Sequence, residues 1–466
     1  MTTVGTPTAH PSTDDPVVRG LSEVIGGPLG EHARTGRRRF WTPMRVVLAL
    51  TCLALAFNWV QKSPCRDGAW ADNEQYTKAC YTDVLALYYA EGLDKGEIPY
   101  IDHPVEYPVV TGAVMAVVGL PVHLLGEFSG GSLNEGQLFY DLTTLVLGAF
   151  ALVTAWALVR MRPDRPWDAT MFGLAPAFLL TATVNWDLVA VACCVLALLA
   201  WTRGSPAATG VLLGLGGAAK LFPLFALGPL VVVCLRQRRY ADAITATTAA
   251  LGTWLAVNLP MMTVAWDSWK RFFDLSTTRP VDWGTIWYIG LYWPHGETSG
   301  VPPFTDLAAD IPRLNAVSAA IFAVLCVGIA GLALLAPRPP RLEALVFLTV
   351  AAFLVSNKVW SQQFVLWLIP LALLARPRWP AFLVWQGFEV VYFIAFYQRL
   401  LGASSGEATI PEGVFLLASA GRAISLLVLC GLVVTDILNP NRDIVRSRES
   451  SAPPGARLGP TAVPVT

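Results

Sequence analysis

The chain has 466 residues, 54% of them hydrophobic and only 14% charged, with a mean hydropathy of +0.52. Soluble domains carry roughly a quarter charged residues, so this is a polytopic membrane protein. Lysine plus arginine (33) equals aspartate plus glutamate (33), which leaves no global basic surface and argues against nucleic acid as a partner.

In chain order, residues 1–40 are rich in Thr, Pro, Gly and Asp without periodicity and lack the apolar core of a signal peptide. They read as a disordered cytoplasmic tail. Arg37, Arg38, Arg39 and Arg45 precede the apolar run Val46 to Val60, so the positive-inside rule puts the N-terminus in the cytoplasm and the next loop, 61–107, on the exoplasmic side. That loop carries Asp72, Glu74, Asp83, Glu91, Asp94, Glu97, Asp102 and Glu106. Unpaired charge beside hydrocarbon is costly, and so many carboxylates there mark the first place to look for chemistry. Cys65 and Cys80 are the cysteines in a polar loop, the other six lying in apolar runs. In an oxidising compartment they can pair, closing a loop of about 15 residues worth roughly 3 kcal/mol; two free thiols are the alternative.

Beyond the loop, apolar segments recur at about 108–126, 138–160, 168–184, 186–203, 206–220, 222–236, 241–264, 312–336, 342–356, 361–376, 380–398 and 412–437. Arginine clusters from Arg160 to Arg165, at Arg203, from Arg236 to Arg239, at Arg338/Arg341, at Arg376/Arg378 and from Arg442 to Arg448 mark cytoplasmic turns. With both termini cytoplasmic the number of crossings is even, so one segment does not cross. The run 108–126, interrupted by Gly119 and Pro121, is expected to be re-entrant, with 168–184 as the rival, giving about twelve crossings. Residues 41–437 then form the transmembrane domain, where any catalysis is expected, and 438–466 a second disordered cytoplasmic tail.

This topology gathers polar stretches on the exoplasmic side, each with a bland and a chemical reading. Asp83, in CYTDVLALYYAEGL, either favours a helix dipole behind the N-cap Thr82 or serves as a general base. Asp102, His103 and Glu106, in IPYIDHPVEYP, are solvated charges on a Pro-punctuated connector, or they support or replace Asp83. Asn185 and Asp187, in TVNWDLVAV, cap a helix or line a cavity. Lys220 ends the small-residue run GVLLGLGGAAK and either snorkels or binds a lipid phosphate. Arg279 clamps phosphate or pairs with Asp282, and His295 is a loop histidine or an acid/base partner. In SNKVWSQQ, Asn357, Lys358, Trp360, Gln362 and Gln363 form a polar hairpin or grip sugar hydroxyls and phosphate. No Walker loop, GxGxxG, HExxH or clustered Cys/His spacing is present, so nucleotide and zinc enzymes are disfavoured, and neither cofactor nor metal is expected.

YTDVLALYYAEGL with IPYIDHPVEYPVVTG, then NWDLVAV, GLGGAAKLFPL, FFDLSTTRPVDWGTIWY and SNKVWSQQFVLWLIPL together resemble the actinobacterial family-87 glycosyltransferases of the GT-C superfamily, over roughly residues 40 to 437. The resemblance implies an all-α polytopic bundle that uses a polyprenyl-phosphate sugar donor, mannosyltransferases of cell-envelope glycolipids being the best-known members. It also implies an acidic base early in the first exoplasmic loop, where the matching position is Asp83. The superfamily often has two adjacent acids, whereas here Thr82 and Val84 flank Asp83, which keeps Asp102 and Glu106 as alternatives. The resemblance further makes 108–126 a genuine span, against the charge argument. The expected activity is inverting transfer of a sugar to a lipid or glycan acceptor at the exoplasmic face of the plasma membrane, among membrane lipids. A transporter or flippase of lipid-linked sugars is the rival, although it would place its charges near the midplane and show repeat symmetry.

Overall fold

The computed structural model describes residues 15–26, 40–68, 70–294 and 300–449. His295 and most of both expected tails lie outside the described residues.

Helices α1 (Pro16–Gly26) and α2 (Pro43–Lys62) open the chain. Asp15 caps α1 through the Val17 N–H (2.9 Å) and also accepts the Trp379 N–H (3.0 Å), so part of the N-terminal tail is helical and docked. Thr42 caps α2 by accepting from the Arg45 N–H, with Pro43 in the first turn, where its missing N–H costs nothing. The first loop contains α3 (Glu74–Thr77) and α4 (Asp83–Ala90). Then follow α5 (Val109–Phe128), α6 (Glu135–Met161), α7 (Thr170–Gly173), α8 (Pro176–Thr181), α9 (Asp187–Thr202), α10 (Pro206–Ala219), α11 (Leu227–Gln237), α12 (Tyr240–Val264) and α13 (Trp266–Thr278). The chain continues through α14 (Ile286–Tyr292), α15 (Pro302–Ala309), α16 (Ile311–Leu335), α17 (Leu342–Ser356), α18 (Val365–Ala375), α19 (Trp379–Ser405), α20 (Glu412–Leu438) and α21 (Ile444–Glu449).

Among the described residues six helices, α2, α5, α6, α16, α19 and α20, are long and apolar enough to cross a membrane, or seven if α12 and α13 count as one span bent by 115°. This falls short of about twelve. The difference lies in α9, α10, α11, α17 and α18, which are apolar but only 10–17 residues long, up to about 25 Å at 1.5 Å per residue against a hydrocarbon core of about 30 Å. Every residue of α18 is buried, as are most of α9 and α17. A helix that is apolar all round is one buried all round, and hydropathy reads burial in protein as it reads burial in lipid. The run 108–126 is also corrected: α5 continues through Pro121, whereas 168–184 breaks into α7 and α8.

Close approach is built in where small residues repeat. A Cβ added at Gly210 or Gly214 of α10 would run into the carbonyls of Ala246 and Ala250 on α12, so glycine sets this helix spacing. The bend at Ala265 swings the amphipathic α13 across one end of the bundle. At that end the N-termini of α4 and α9, the C-terminus of α10 and the α17–α18 connection meet, and the second half of α19 supplies Phe396 and Leu400.

Candidate active site

A cavity of about 670 Å³ opens beneath α13. Asp83 is placed in it by main-chain anchoring. Thr82 caps α4 through the Val84 N–H (3.2 Å) while its hydroxyl donates to the Thr183 carbonyl (2.7 Å). The Asp83 N–H donates to the Val184 carbonyl (2.8 Å). Thr82 and Asp83 therefore do serve as cap and first-turn acid, and the same contacts aim the carboxylate into the cavity. Its Oδ2 accepts from Asn185 Nδ2 (2.7 Å) and, more loosely, from Gln363 Nε2 (3.4 Å). Tyr81 hydrogen-bonds it as well.

Burial pushes the Asp83 carboxyl above the ordinary aspartate range. The Asn185 and Tyr81 hydrogen bonds and the Lys220 charge pull the other way, and the Glu106 charge adds to the rise. Asn185 also donates to the Tyr107 hydroxyl (2.6 Å). Burial and the Asp83 charge hold the phenols of Tyr81 and Tyr107 well above their usual range, so both stay protonated.

Lys220 does not snorkel. It follows the last turn of α10, is buried, and donates from Nζ to Asp187 Oδ1 (2.7 Å). Its ammonium also lies 5.6 Å from the ring centre of Tyr107 and 5.4 Å from that of Phe364. Asp187 is fully buried behind it and accepts the Trp367 indole N–H (2.6 Å) through the same oxygen. Lys220 lines the cavity and Asp187 does not, so Asp187 holds the lysine instead of meeting a ligand.

Arg279, at the end of α13, pairs with Glu106 (3.4 Å), and both line the cavity. The Arg279–Asp282 pair, the alternative to a phosphate clamp, is not formed. The Asp282 carboxylate turns back to its neighbour's Trp283 N–H (2.8 Å), outside the cavity, and burial raises it. Lys358 is likewise directed away: its ammonium donates to the Thr277 carbonyl (3.1 Å) and braces α13, and burial together with Arg279 pushes it down. Its neighbours Asn357 and Val359 face the cavity with Gln362 and Gln363.

Asp102 and His103 also lie outside the cavity. Asp102 caps a turn through the Ile98 N–H (2.9 Å), and His103 bridges Glu97 (3.0 Å) and Glu91 (3.3 Å). Glu91 in turn accepts the Glu106 N–H (3.3 Å), so this cluster shapes the segment that presents Glu106 and Tyr107. Cys65 and Cys80 form a disulfide with a Cα–Cα distance of 5.7 Å. It closes the stretch that carries Tyr76, another lining residue. Tyr76, Tyr81 and Tyr107 were missed from sequence; the available signal was the position of the last two beside acidic loop residues.

One carboxylate facing two amides and two phenols, with an ammonium and a guanidinium across the same space, suits proton abstraction next to a developing anion. Away from Asp83 the cavity turns apolar at Phe222, Phe225 and Phe353. Phe225 also belongs to an apolar groove of about 440 Å³ bordered by Pro229, Phe322 and Val327, between α11, α16 and α17.

No curated protein matches the chain. The sequence model of glycosyltransferase family 87 matches residues 107–357, more than half of the chain. The match takes in Tyr107, Asn185, Lys220, Arg279 and Asn357, and begins after Asp83. The chain therefore belongs to glycosyltransferase family 87, as a polytopic membrane glycosyltransferase.

Proposed function

We propose that the protein transfers a sugar, with mannose the first to test, from a polyprenyl-phosphate donor to a cell-envelope lipid or glycan acceptor, with inversion at the anomeric carbon. The site works at the exoplasmic face of the plasma membrane, with both termini in the cytoplasm. The observation that carries this reading is the single cavity that holds Asp83, Lys220 and Arg279 and shares Phe225 with a neighbouring apolar groove.

The groove suits an isoprenoid tail, and the cations suit the phosphate at its head. Asp83 takes the proton of the acceptor hydroxyl, and the oxygen attacks the anomeric carbon from the face opposite the phosphate. The bond from that carbon to the phosphate oxygen breaks, and its electron pair leaves with the lipid phosphate. Lys220, with one of its three donors committed to Asp187, has donors left for that oxygen. Arg279 supplies a second cation once Glu106 yields to it. Tyr81, Asn185 and Gln363 hold the carboxylate in line.

Purified protein given radiolabelled polyprenyl-phosphate mannose and candidate lipid acceptors is expected to give labelled glycolipid. Movement of intact donor across vesicles without any glycosylated product would replace this reading with that of a flippase. The absence of both with this donor would rule out mannose as the sugar, and the same assay is then run with other polyprenyl-phosphate sugars.

A further inference from the structure

The segment that carries Gln362 and Gln363 leaves α17 at Ser356 and enters α18 at Val365. Its path is held from behind by Arg422 in the middle of α20. Arg422 is completely buried and lines no part of the cavity. Its Nη1 donates to the Trp360 carbonyl (2.9 Å), its Nη2 to the Ser361 carbonyl (3.0 Å), and its Nε to Glu389 of α19 (2.9 Å). The guanidinium lies 4.3 Å from the ring centres of both Trp360 and Tyr392, and Glu389 also accepts the Trp385 indole N–H (3.0 Å).

Taking such a pair out of water carries a desolvation cost that well-packed apolar residues avoid, so packing alone does not account for it. What the pair adds is direction. The two carbonyls it grips belong to the residues immediately before Gln362 and Gln363. Gln363 reaches Asp83 at 3.4 Å, and Gln362 reaches the Tyr397 hydroxyl at 3.4 Å. Tyr397 in turn donates to the Tyr81 carbonyl (3.0 Å), two residues before Asp83. Amide bonds this long sit at the edge of useful geometry, so a few tenths of an ångström in the 360–361 backbone decides whether they form.

We propose that Arg422 is a positioning residue of the transfer reaction: its fork on Trp360 and Ser361 sets Gln362 and Gln363 against Tyr397 and Asp83. The proposal rests on the reading of Asp83 as the base. Glu389 serves it by keeping the guanidinium oriented.

Three variants of the full chain test it: Arg422→Lys, the paired replacement Arg422→Met with Glu389→Leu, and Gln362→Ala with Gln363→Ala. Each is assayed with labelled donor and by thermal unfolding, with Asp83→Asn alongside. The Met/Leu protein leaves no buried charge unpaired but takes their partners from the Trp360 and Ser361 carbonyls and the Trp385 indole N–H, so it is expected to unfold below the wild-type temperature, and kcat is read per folded protein. Its kcat falls roughly 10²-fold, the scale of a misplaced catalytic constellation, while KM for the donor changes by less than about threefold. Arg422→Lys keeps the charge on Glu389 but not the fork, and is expected to lose about tenfold in kcat. In the double-glutamine background neither Arg422 change lowers kcat further, because the groups it positions are gone. A folded Arg422→Lys or Met/Leu protein with wild-type kcat overturns the proposal, as does full additivity with the glutamine changes or a loss that only tracks the folded fraction. If Asp83→Asn is active, the base reading has failed; if it is inactive while the Arg422 variants are normal, only this proposal has.

Discussion

Asp83→Asn is the most direct test of the mechanism, because the structure separates its effect on chemistry from its effect on folding. Both amide contacts fall on one carboxylate oxygen, from Asn185 at 2.7 Å and Gln363 at 3.4 Å. An asparagine with its amide oxygen turned that way keeps both, and the NH₂ takes the place of the oxygen that would receive the proton. Removal of a general base typically lowers rate by about 10²–10⁴-fold, or about 2.7–5.4 kcal/mol of barrier at 1.36 kcal/mol per decade. Stability moves the other way. Burial raises the Asp83 carboxyl, so its folded pKa lies above its unfolded one. Such a group stabilises the fold fully below its unfolded pKa, and the contribution is lost as pH rises through the folded value. Once ionised, the carboxylate is therefore a liability to folding, and the neutral amide should leave the unfolding temperature unchanged or higher. The same raised pKa places the acid limb of wild-type kcat/KM above the ordinary aspartate value of about 3.9. Initial rates with labelled donor across pH, together with thermal unfolding, measure all of this. Turnover within about threefold of wild type refutes Asp83 as the base; an acid limb at or below that value shows instead that burial does not raise its carboxyl.

Three further outcomes follow from the packing. Lys220→Met leaves Asp187 buried without its ammonium and should cost about 3–5 kcal/mol of stability; adding Asp187→Asn should restore most of that in thermal unfolding while donor turnover stays low. Replacing Cys65 and Cys80 with serine opens a loop with a sequence separation of 15 and should lower stability by about 3 kcal/mol, and the variant, unlike wild type, should unfold at the same temperature with and without reductant. Gly214→Leu should sharply reduce the yield of folded protein by forcing α10 off α12, whereas Gly252→Leu, where an added Cβ meets nothing within 4 Å, should be tolerated; equal yields of the two would show that the spacing set by Gly214 is not required.

Composition and local pattern settled the membrane and helical class of the chain. Low charge and high hydropathy follow from where the side chains must reside, so membrane residence and an all-helical fold were legible without coordinates. The loop carboxylates, the two loop cysteines and the polar residues at the ends of apolar runs were legible for the same reason, since each breaks the apolar rule locally. Asp83, Glu106, Lys220, Arg279, Gln362 and Gln363 do line one cavity. What sequence could not supply was direction. Asp102, Asp187, Asp282 and Lys358 lie close in sequence to lining residues, yet their side chains turn into capping or bracing contacts. A one-residue difference on a turn or helix end reverses where a side chain points.

The expected twelve spans are not matched by twelve helices long enough to cross among the described residues, for a related reason. Hydropathy records that α9, α17 and α18 avoid water, and avoidance of water is satisfied equally by lipid and by protein; only the three-dimensional packing shows that α18 is enclosed on every side. Arg422 and Glu389 mark the same boundary. Sequence shows two charges inside apolar runs. Only the tertiary structure shows that they meet each other across α19 and α20, 33 residues apart, and that the arginine grips a backbone 61 and 62 residues away. Local sequence fixes which residues avoid or seek water, because that preference belongs to each side chain. Which of them face one another is decided by how the helices close on themselves, a property of the whole chain.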